Sequence, residues 1–153
     1  MYGTGFFNNE PGIKVIYDGK EIGSSTSADG NGSWEITITI PPSTQGTHKI
    51  DAYGSSTTAI SIDDKDFEVK PRITINPATG YVGTTIAVSG TGFPATTLTV
   101  ITYDGDQEGS VTTDTLGSFS GVSFEATHKQ SVHTKDHTVE ASFGTTQVST
   151  TFS

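Results

Sequence analysis

The sequence predicts an all-β protein made of two tandem β-sandwich units, and three observations carry that prediction. The first is compositional. Apolar residues make up only 31% of the 153-residue chain, yet charged residues make up only 16%. Disordered chains pair low hydrophobicity with high charge, so simple disorder fits poorly; the polarity here comes from Thr and Ser, with 18 Gly. Thr favours strands and Gly favours turns. The second observation is a strand pattern. Trp34-Glu35-Ile36-Thr37-Ile38-Thr39-Ile40 alternates apolar and polar residues without a break, the mark of a strand with one buried and one wet face. The third is an internal repeat. Gly3-Thr4-Gly5-Phe6 recurs as Gly90-Thr91-Gly92-Phe93, and Tyr17-Asp18-Gly19 as Tyr103-Asp104-Gly105. Gly32-Ser33-Trp34 recurs as Gly117-Ser118-Phe119, and His48-Lys49-Ile50-Asp51-Ala52 as His137-Thr138-Val139-Glu140-Ala141. Order is kept and the offset drifts only by loop-sized steps, so one unit of roughly 85 residues is present twice, the size of a small sandwich.

Each element follows from local chemistry. In the first copy, Trp34 to Ile40 reads as one strand with Trp34, Ile36, Ile38 and Ile40 on its buried side. Phe67-Glu68-Val69 reads as its last strand. In the second copy, Ile73-Thr74-Ile75, Thr85 to Val88, Leu98 to Ile101 and His137 to Phe143 read as strands, with Phe119 to Phe124 a less regular one. Asp18-Gly19, Asp29-Gly30-Asn31-Gly32, Pro41-Pro42, Asn76-Pro77 and Asp104-Gly105 are turn signals between them. No segment sustains a helical period. The boundary falls at Lys70-Pro71-Arg72, giving units 1–70 and 71–153; Pro71 fixes φ there, so a stiff, elongated pair is expected.

Charge excludes whole classes of partner. Eight basic residues face 17 acidic ones, for a net charge of −9. An acidic surface repels phosphate backbones and anionic lipid, which argues against nucleic-acid binding and against attraction to a membrane surface. No apolar run is long enough to span a bilayer, so no membrane insertion is expected. Without cysteine there is no disulfide and no thiolate chemistry. Met1-Tyr2-Gly3-Thr4-Gly5 has neither a basic nor an apolar leader region, so an export signal is expected upstream of Met1 or already removed.

The second copy resembles the IPT/TIG-like and related immunoglobulin-like repeats of bacterial and archaeal cell-surface proteins. The residues that carry the resemblance are Ile75-x-Pro77-x-x-Gly80 and Gly83-Thr84-Thr85-Ile86-x-Val88-x-Gly90-x-Gly92-Phe93. Tyr103-Asp104-Gly105, Leu116-Gly117-Ser118-Phe119 and His137-Thr138-Val139-x-Ala141 complete it. The resemblance spans nearly all of 73–153 and, in the first copy, 3–70. It implies two immunoglobulin-like sandwiches, an extracellular location at the surface of a bacterium or archaeon, and a place in stalks, adhesins, surface layers or accessory modules. It brings no catalytic residues and no cofactor.

The first copy departs from the pattern. Met1-Tyr2 aligns with Val88-Ser89, so counterparts of residues 73 to 87 are missing: strand A and most of strand B. An immunoglobulin-like sandwich needs strand B at the centre of one sheet. Its loss leaves apolar residues and backbone N–H and C=O groups unpaired. Three explanations stand side by side: upstream residues lie outside this sequence, a strand from another chain fills the gap, or the first unit is a smaller, rearranged sandwich. Under the second, Tyr2, Phe6, Phe7, Trp34, Ile36 and Ile38 line an open groove, and neighbouring copies of the same chain, or flanking domains of a longer chain, are the expected partners. Head-to-tail addition that does not close gives a filament.

Several side chains invite a sharper reading. His128, His133 and His137 cluster around Asp136, and His133 with His137 suits a shared strand face and a metal ion; a polar loop leading into a strand is the plainer reading. His137 aligns with His48, which has no second His nearby, favouring a structural role. Asp29-Gly30-Asn31-Gly32-Ser33 imitates the start of a calcium loop, but the closing Glu is absent and a hairpin turn suffices. Asp63, Asp64 and Asp66 form an acidic cluster that reads as a solvated loop or a weak calcium site. Asn31-Gly32-Ser33 matches the glycosylation acceptor pattern. Phe6, like Phe93, is expected in the core, and Tyr17 and Tyr103 at the sandwich ends. The acids are scattered and no nucleophile elbow is present, so no enzymatic activity is expected. The expectation is a non-catalytic structural element of a surface filament, stalk or layer, with an adhesin or carbohydrate-binding module as the alternative.

Overall fold

In the computed structural model, which describes residues 1–127 and 136–153, every regular element is a strand apart from a three-residue 3-10 turn at Ala59–Ser61. The chain divides into two compact units, residues 1–41 with 46–68 and residues 42–45 with 69–153.

The first unit holds β1 (Tyr2–Gly3), β2 (Ile13–Tyr17), β3 (Lys20–Thr26), β4 (Trp34–Glu35), β5 (Gly46–Tyr53) and β6 (Lys65–Val69). β2, β3, β5 and β6 form one sheet in the order β3-β2-β5-β6, with β2 antiparallel to both β3 and β5, while β1 and β4 make a separate pair. β2 buries Ile13, Val15 and Tyr17 on its inner face; alternating β-branched and aromatic residues suit a pleated, half-buried surface. Asp18 and Gly19 then turn the chain with φ of 46° and 78°. Positive φ at both central residues is what a two-residue hairpin needs to match the strand twist, and Asp-Gly supplies it. Phe6, Ile13, Val15, Tyr17, Ala28, Trp34, Ile36, Ile50 and Ala52 form the core.

The second unit holds β7 (Arg72–Asn76), β8 (Thr85–Thr91), β9 (Leu98–Tyr103), β10 (Asp106–Thr112), β11 (Phe119–Glu125), β12 (His137–Phe143) and β13 (Thr146–Phe152). Two antiparallel sheets, β10-β9-β12-β13 and β11-β8-β7, share one core. Ile73, Ile75, Ile86 and Val88 enter it from one sheet, Ile101, Tyr103, Val139 and Ala141 from the other, with Phe93 fully buried. The arrangement is sandwich-like.

The repeat read from the sequence is matched bond for bond. Gly3 pairs with Trp34 as Gly90 pairs with Phe119. Phe6 N–H donates to Gly32 O at 3.2 Å, and Phe93 N–H to Gly117 O at 3.0 Å. Asp29 and Asp114 each accept two backbone N–H bonds inside their turns, at 2.8 and 2.9 Å from Asn31 and Ser33 and at 2.8 Å from both Leu116 and Ser118. The strand order β3-β2-β5-β6 repeats as β10-β9-β12-β13. What differs is the other sheet. The second unit has β8 flanked by β11 and β7, while the first has only two-residue β1 beside β4.

One expectation needs correction. The strand read over Trp34 to Ile40 ends at Glu35; one bond each way joins Met1 and Ile36, both 2.9 Å, and among the described residues no strand pairs with residues 37–40. The side chains still alternate, Trp34 and Ile36 buried, Ile38 and Ile40 half-buried, and Glu35, Thr37 and Thr39 exposed. By contacts, Val69 and residues 42–45 group with the second unit, where Gln45 N–H bonds Phe93 O at 3.1 Å.

Candidate functional site

The most distinctive surface of the first unit is the edge of β1. In the second unit, β8 is paired on both sides: Gly90 faces Phe119 of β11 and Ile73 of β7. Among the described residues its counterpart β1 is paired on one side only. Antiparallel ladders alternate residues that bond inward and outward. Met1 bonds Ile36 on the β4 side, so the N–H and C=O of Tyr2 point away from β4, to the side without a strand. Beneath that edge lies a cleft of about 350 Å³. Phe6, Trp34, Ile50, Ala52 and Ile62 form its apolar wall, Met1 to Thr4 one rim, and Asp51, Asp63 and Lys65 the polar rim. At the equivalent place in the second unit, Ile73 and Ile75 of β7 are buried at 4% and 7% exposure.

Trp34 is the one aromatic wall residue that carries a polar atom. Its ring meets Phe6 edge-on, centroids 5.6 Å apart, as Phe119 meets Phe93 at 5.2 Å. The indole Nε1 is buried and makes no hydrogen bond. An unpaired buried donor costs free energy. Gly3 crosses this ring so closely that a Cβ there would lie 2.5 Å from it, which is why a glycine occupies the position.

Of the groove residues expected from sequence, Tyr2, Phe6 and Trp34 line the cleft. Ile36 is buried in the core and Ile38 packs partly against it, and neither lines the cleft; Phe7 is 64% exposed outside it. Tyr2, at 81% exposed, leaves its ring in solvent. Ile50, Ala52 and Ile62 escaped the sequence reading as cleft residues. The first two were within reach of it, since they align with Val139 and Ala141 of the second core.

The paired histidines are structural clamps. His48 Nδ1 lies 2.5 Å from Asp18 Oδ2, and His137 Nδ1 2.6 Å from Asp104 Oδ2. The other carboxylate oxygens accept the N–H of Lys49 at 3.0 Å and of Thr138 at 2.8 Å. Each imidazole stacks on the preceding tyrosine, Tyr17 or Tyr103, with centroids 5.2 Å apart in both. Each Asp thus ties its hairpin turn to the neighbouring strand. The His48 and Lys49 N–H bonds hold the Asp18 carboxyl below its usual range; burial pushes the Tyr103 phenol up. Both tyrosines are the last residues of their strands and are buried in the cores.

A buried carboxylate that no sequence pattern announced is Glu10, 3% exposed. Burial alone would raise its pKa, but the Thr57 hydroxyl at 2.6 Å, the N–H groups of Thr57 and Ser56 at 2.6 Å and of Phe7 at 2.9 Å outweigh that and hold it at about 2. It anchors the long connection 54–64 between β5 and β6, which the second unit replaces by the short Gly144 turn.

The weaker candidates disperse. His128 and His133 lie outside the described residues, and His137 is engaged with Asp104. Among the described residues no three His, Asp or Glu side chains converge as metal ligands would. Asp66 pairs with Lys49, Asp63 sits on the cleft rim and Asp64 is exposed. Asn31 is exposed at its turn. No helix among the described residues is long and apolar enough to cross a membrane. No protein family, curated protein or solved structure matches the chain.

Proposed function

We propose that this chain is a non-catalytic extracellular structural protein, a segment or subunit of a bacterial or archaeal cell-surface filament, stalk or surface layer. Its two units are immunoglobulin-like sandwiches of the IPT/TIG kind, and a donated strand completes the first. The observation that carries the reading is the half-paired β1 above an apolar cleft, at the place where the second unit seats β7. Antiparallel sheets bonded along their full length resist shear, and a donated strand joins one copy or domain to the next through backbone hydrogen bonds. A heterologous joint of this kind propagates without closing. Electron microscopy of the purified chain, with sedimentation over a concentration series, tests it. Rods or filaments that lengthen with concentration are expected; a monomer at high concentration with a fully ordered, self-paired first unit sinks the assembly reading. A second reading, as an adhesin or carbohydrate-binding module, draws on the exposed rings of Tyr2 and Phe7, which suit stacking on sugars. Saturable binding on a glycan array, lost in Tyr2→Ala, would favour it.

A further inference from the structure

We infer that the cleft of the first unit is a peptide-binding site with a defined register: it takes an extended strand of polar–Ile–polar–Ile pattern, antiparallel to β1. The inference rests on the strand-donation reading and goes further, to the side chains of the occupant. The template is internal. In the second unit Arg72 faces Thr91, Ile73 faces Gly90, Thr74 faces Ser89 and Ile75 faces Val88. Gly3 and Gly90 are equivalent, since each faces the core aromatic of the next strand. Carried across, an aliphatic residue comes opposite Gly3 and another opposite Met1, both directed inward. The position opposite Tyr2 bonds the outward N–H and C=O of that residue.

Two features of the cleft fit such an occupant. Directly paired residues on antiparallel strands share a face, and Gly3 has no side chain, so the facing residue has room over Trp34. The apolar wall of Trp34, Phe6, Ile50 and Ala52 corresponds to Phe119, Phe93, Val139 and Ala141, which share one core with Ile73 and Ile75 in the second unit.

The test is a titration of the full chain with a capped peptide of residues 70–77, Lys-Pro-Arg-Ile-Thr-Ile-Asn-Pro, followed by fluorescence of Trp34, the chain's one tryptophan. A saturable blue shift is expected. A peptide with both isoleucines replaced by Asp, and one with the isoleucines moved by a single position, should bind more than about tenfold more weakly, because each buried aliphatic side chain contributes that much or more. Tyr2→Pro removes the outward N–H while leaving the β4 bonds of Met1 and Gly3, so it should fold and lose binding to a similar degree. Equal binding of the in-register and shifted peptides overturns the register while leaving strand donation standing. Absence of binding by any peptide overturns both. If sedimentation shows that the chain pairs with itself and the peptide cannot displace the copy, a second β1 edge is the occupant and the inference fails.

Discussion

Gly117→Ala is the sharpest test of how the two units are built. Gly117 holds φ at 69°, and a Cβ added there would fall 1.9 Å from Phe93 O. That carbonyl is backbone and accepts the Gln45 N–H, so relief requires moving the chain rather than a side-chain tip. Left-handed φ costs a non-glycine residue about 1–2 kcal/mol. Overpacking adds about 1–3 kcal/mol, and the strained Gln45 bond about 0.5–1.5 kcal/mol. Together the change should destabilise the second unit by about 3–6 kcal/mol, a large share of what a domain of this size possesses. Denaturation followed by circular dichroism should show one part of the transition moving to much lower denaturant. The Trp34 fluorescence transition, which reports the first unit, should stay in place. Gly32→Ala should do the reverse, since its Cβ would lie 2.1 Å from Phe6 O at a φ of 75°. A loss under about 1 kcal/mol in Gly117→Ala would refute the tightness of the turn; equal movement of both transitions in both variants would refute the division into separately stabilised units.

Other expectations follow from the polar anchors. Because folding holds Glu10 at about 2, below the ordinary 4.5, the unfolded chain takes up the proton first. The first unit should therefore lose stability as pH falls from about 4.5 toward about 2; Trp34-monitored urea titrations at stepped pH should show this, and Glu10→Gln should be less stable at neutral pH and lose less stability across that window. The depressed Asp18 carboxyl has the same sign, stabilising above its ordinary range and failing below it, so Asp18→Asn should reduce the remaining acid sensitivity. Asp104→Ala, which removes bonds to His137 and to Thr138 N–H, should cost the second unit about 1–3 kcal/mol by thermal or chemical melting; a change within about 0.3 kcal/mol would show the clamp to be idle. Ile60→Ser should leave stability within about 0.5 kcal/mol, since Ile60 is 97% exposed, and a larger loss by the same melts would mean that the 54–64 connection packs differently.

Much of the fold was legible because the repeat gives two views of one design. Residues kept in both copies mark places where geometry leaves no choice: the Asp-Gly hairpins, the glycines pressed on Phe6 and Phe93, the Asp–His pairs. The sequence reading passed over β2, β5 and β13 as strands, and it also passed over the polar edge strands. β3, Lys-Glu-Ile-Gly-Ser-Ser-Thr, and β10, Asp-Gln-Glu-Gly-Ser-Val-Thr, are mostly exposed, so no apolar alternation betrays them; their neighbours β2 and β9 hold them in place. Glu10 was hidden for a different reason. Its partners Ser56 and Thr57 lie more than 40 residues away, and nothing in Asn8-Asn9-Glu10-Pro11 signals that a loop will close over it.

The segment after Trp34 shows why alternation alone does not make a strand. Residues 34–40 alternate more cleanly than Phe119–Glu125, yet the latter is a seven-residue strand and the former stops after two residues. The difference lies opposite. Phe124 and Glu125 face Ile86 and Thr85 of β8, whereas Ile38 and Ile40 face no strand among the described residues. Side-chain period decides which way residues point; a partner decides whether the backbone is bonded. The missing partner can therefore be supplied. Fusing Thr-Ile-Ala, the sequence of residues 85–87, ahead of Met1 continues β1 along its own template and places a residue opposite Ile38. Hydrogen exchange over residues 36–40 should then slow by at least about tenfold, while the turn amides at Asn31 and Gly32 keep their rates. Unchanged exchange at Ile38 in the fusion would mean that something other than the absent partner keeps this segment out of the sheet, and the strand-acceptor account of the first unit would fall with it.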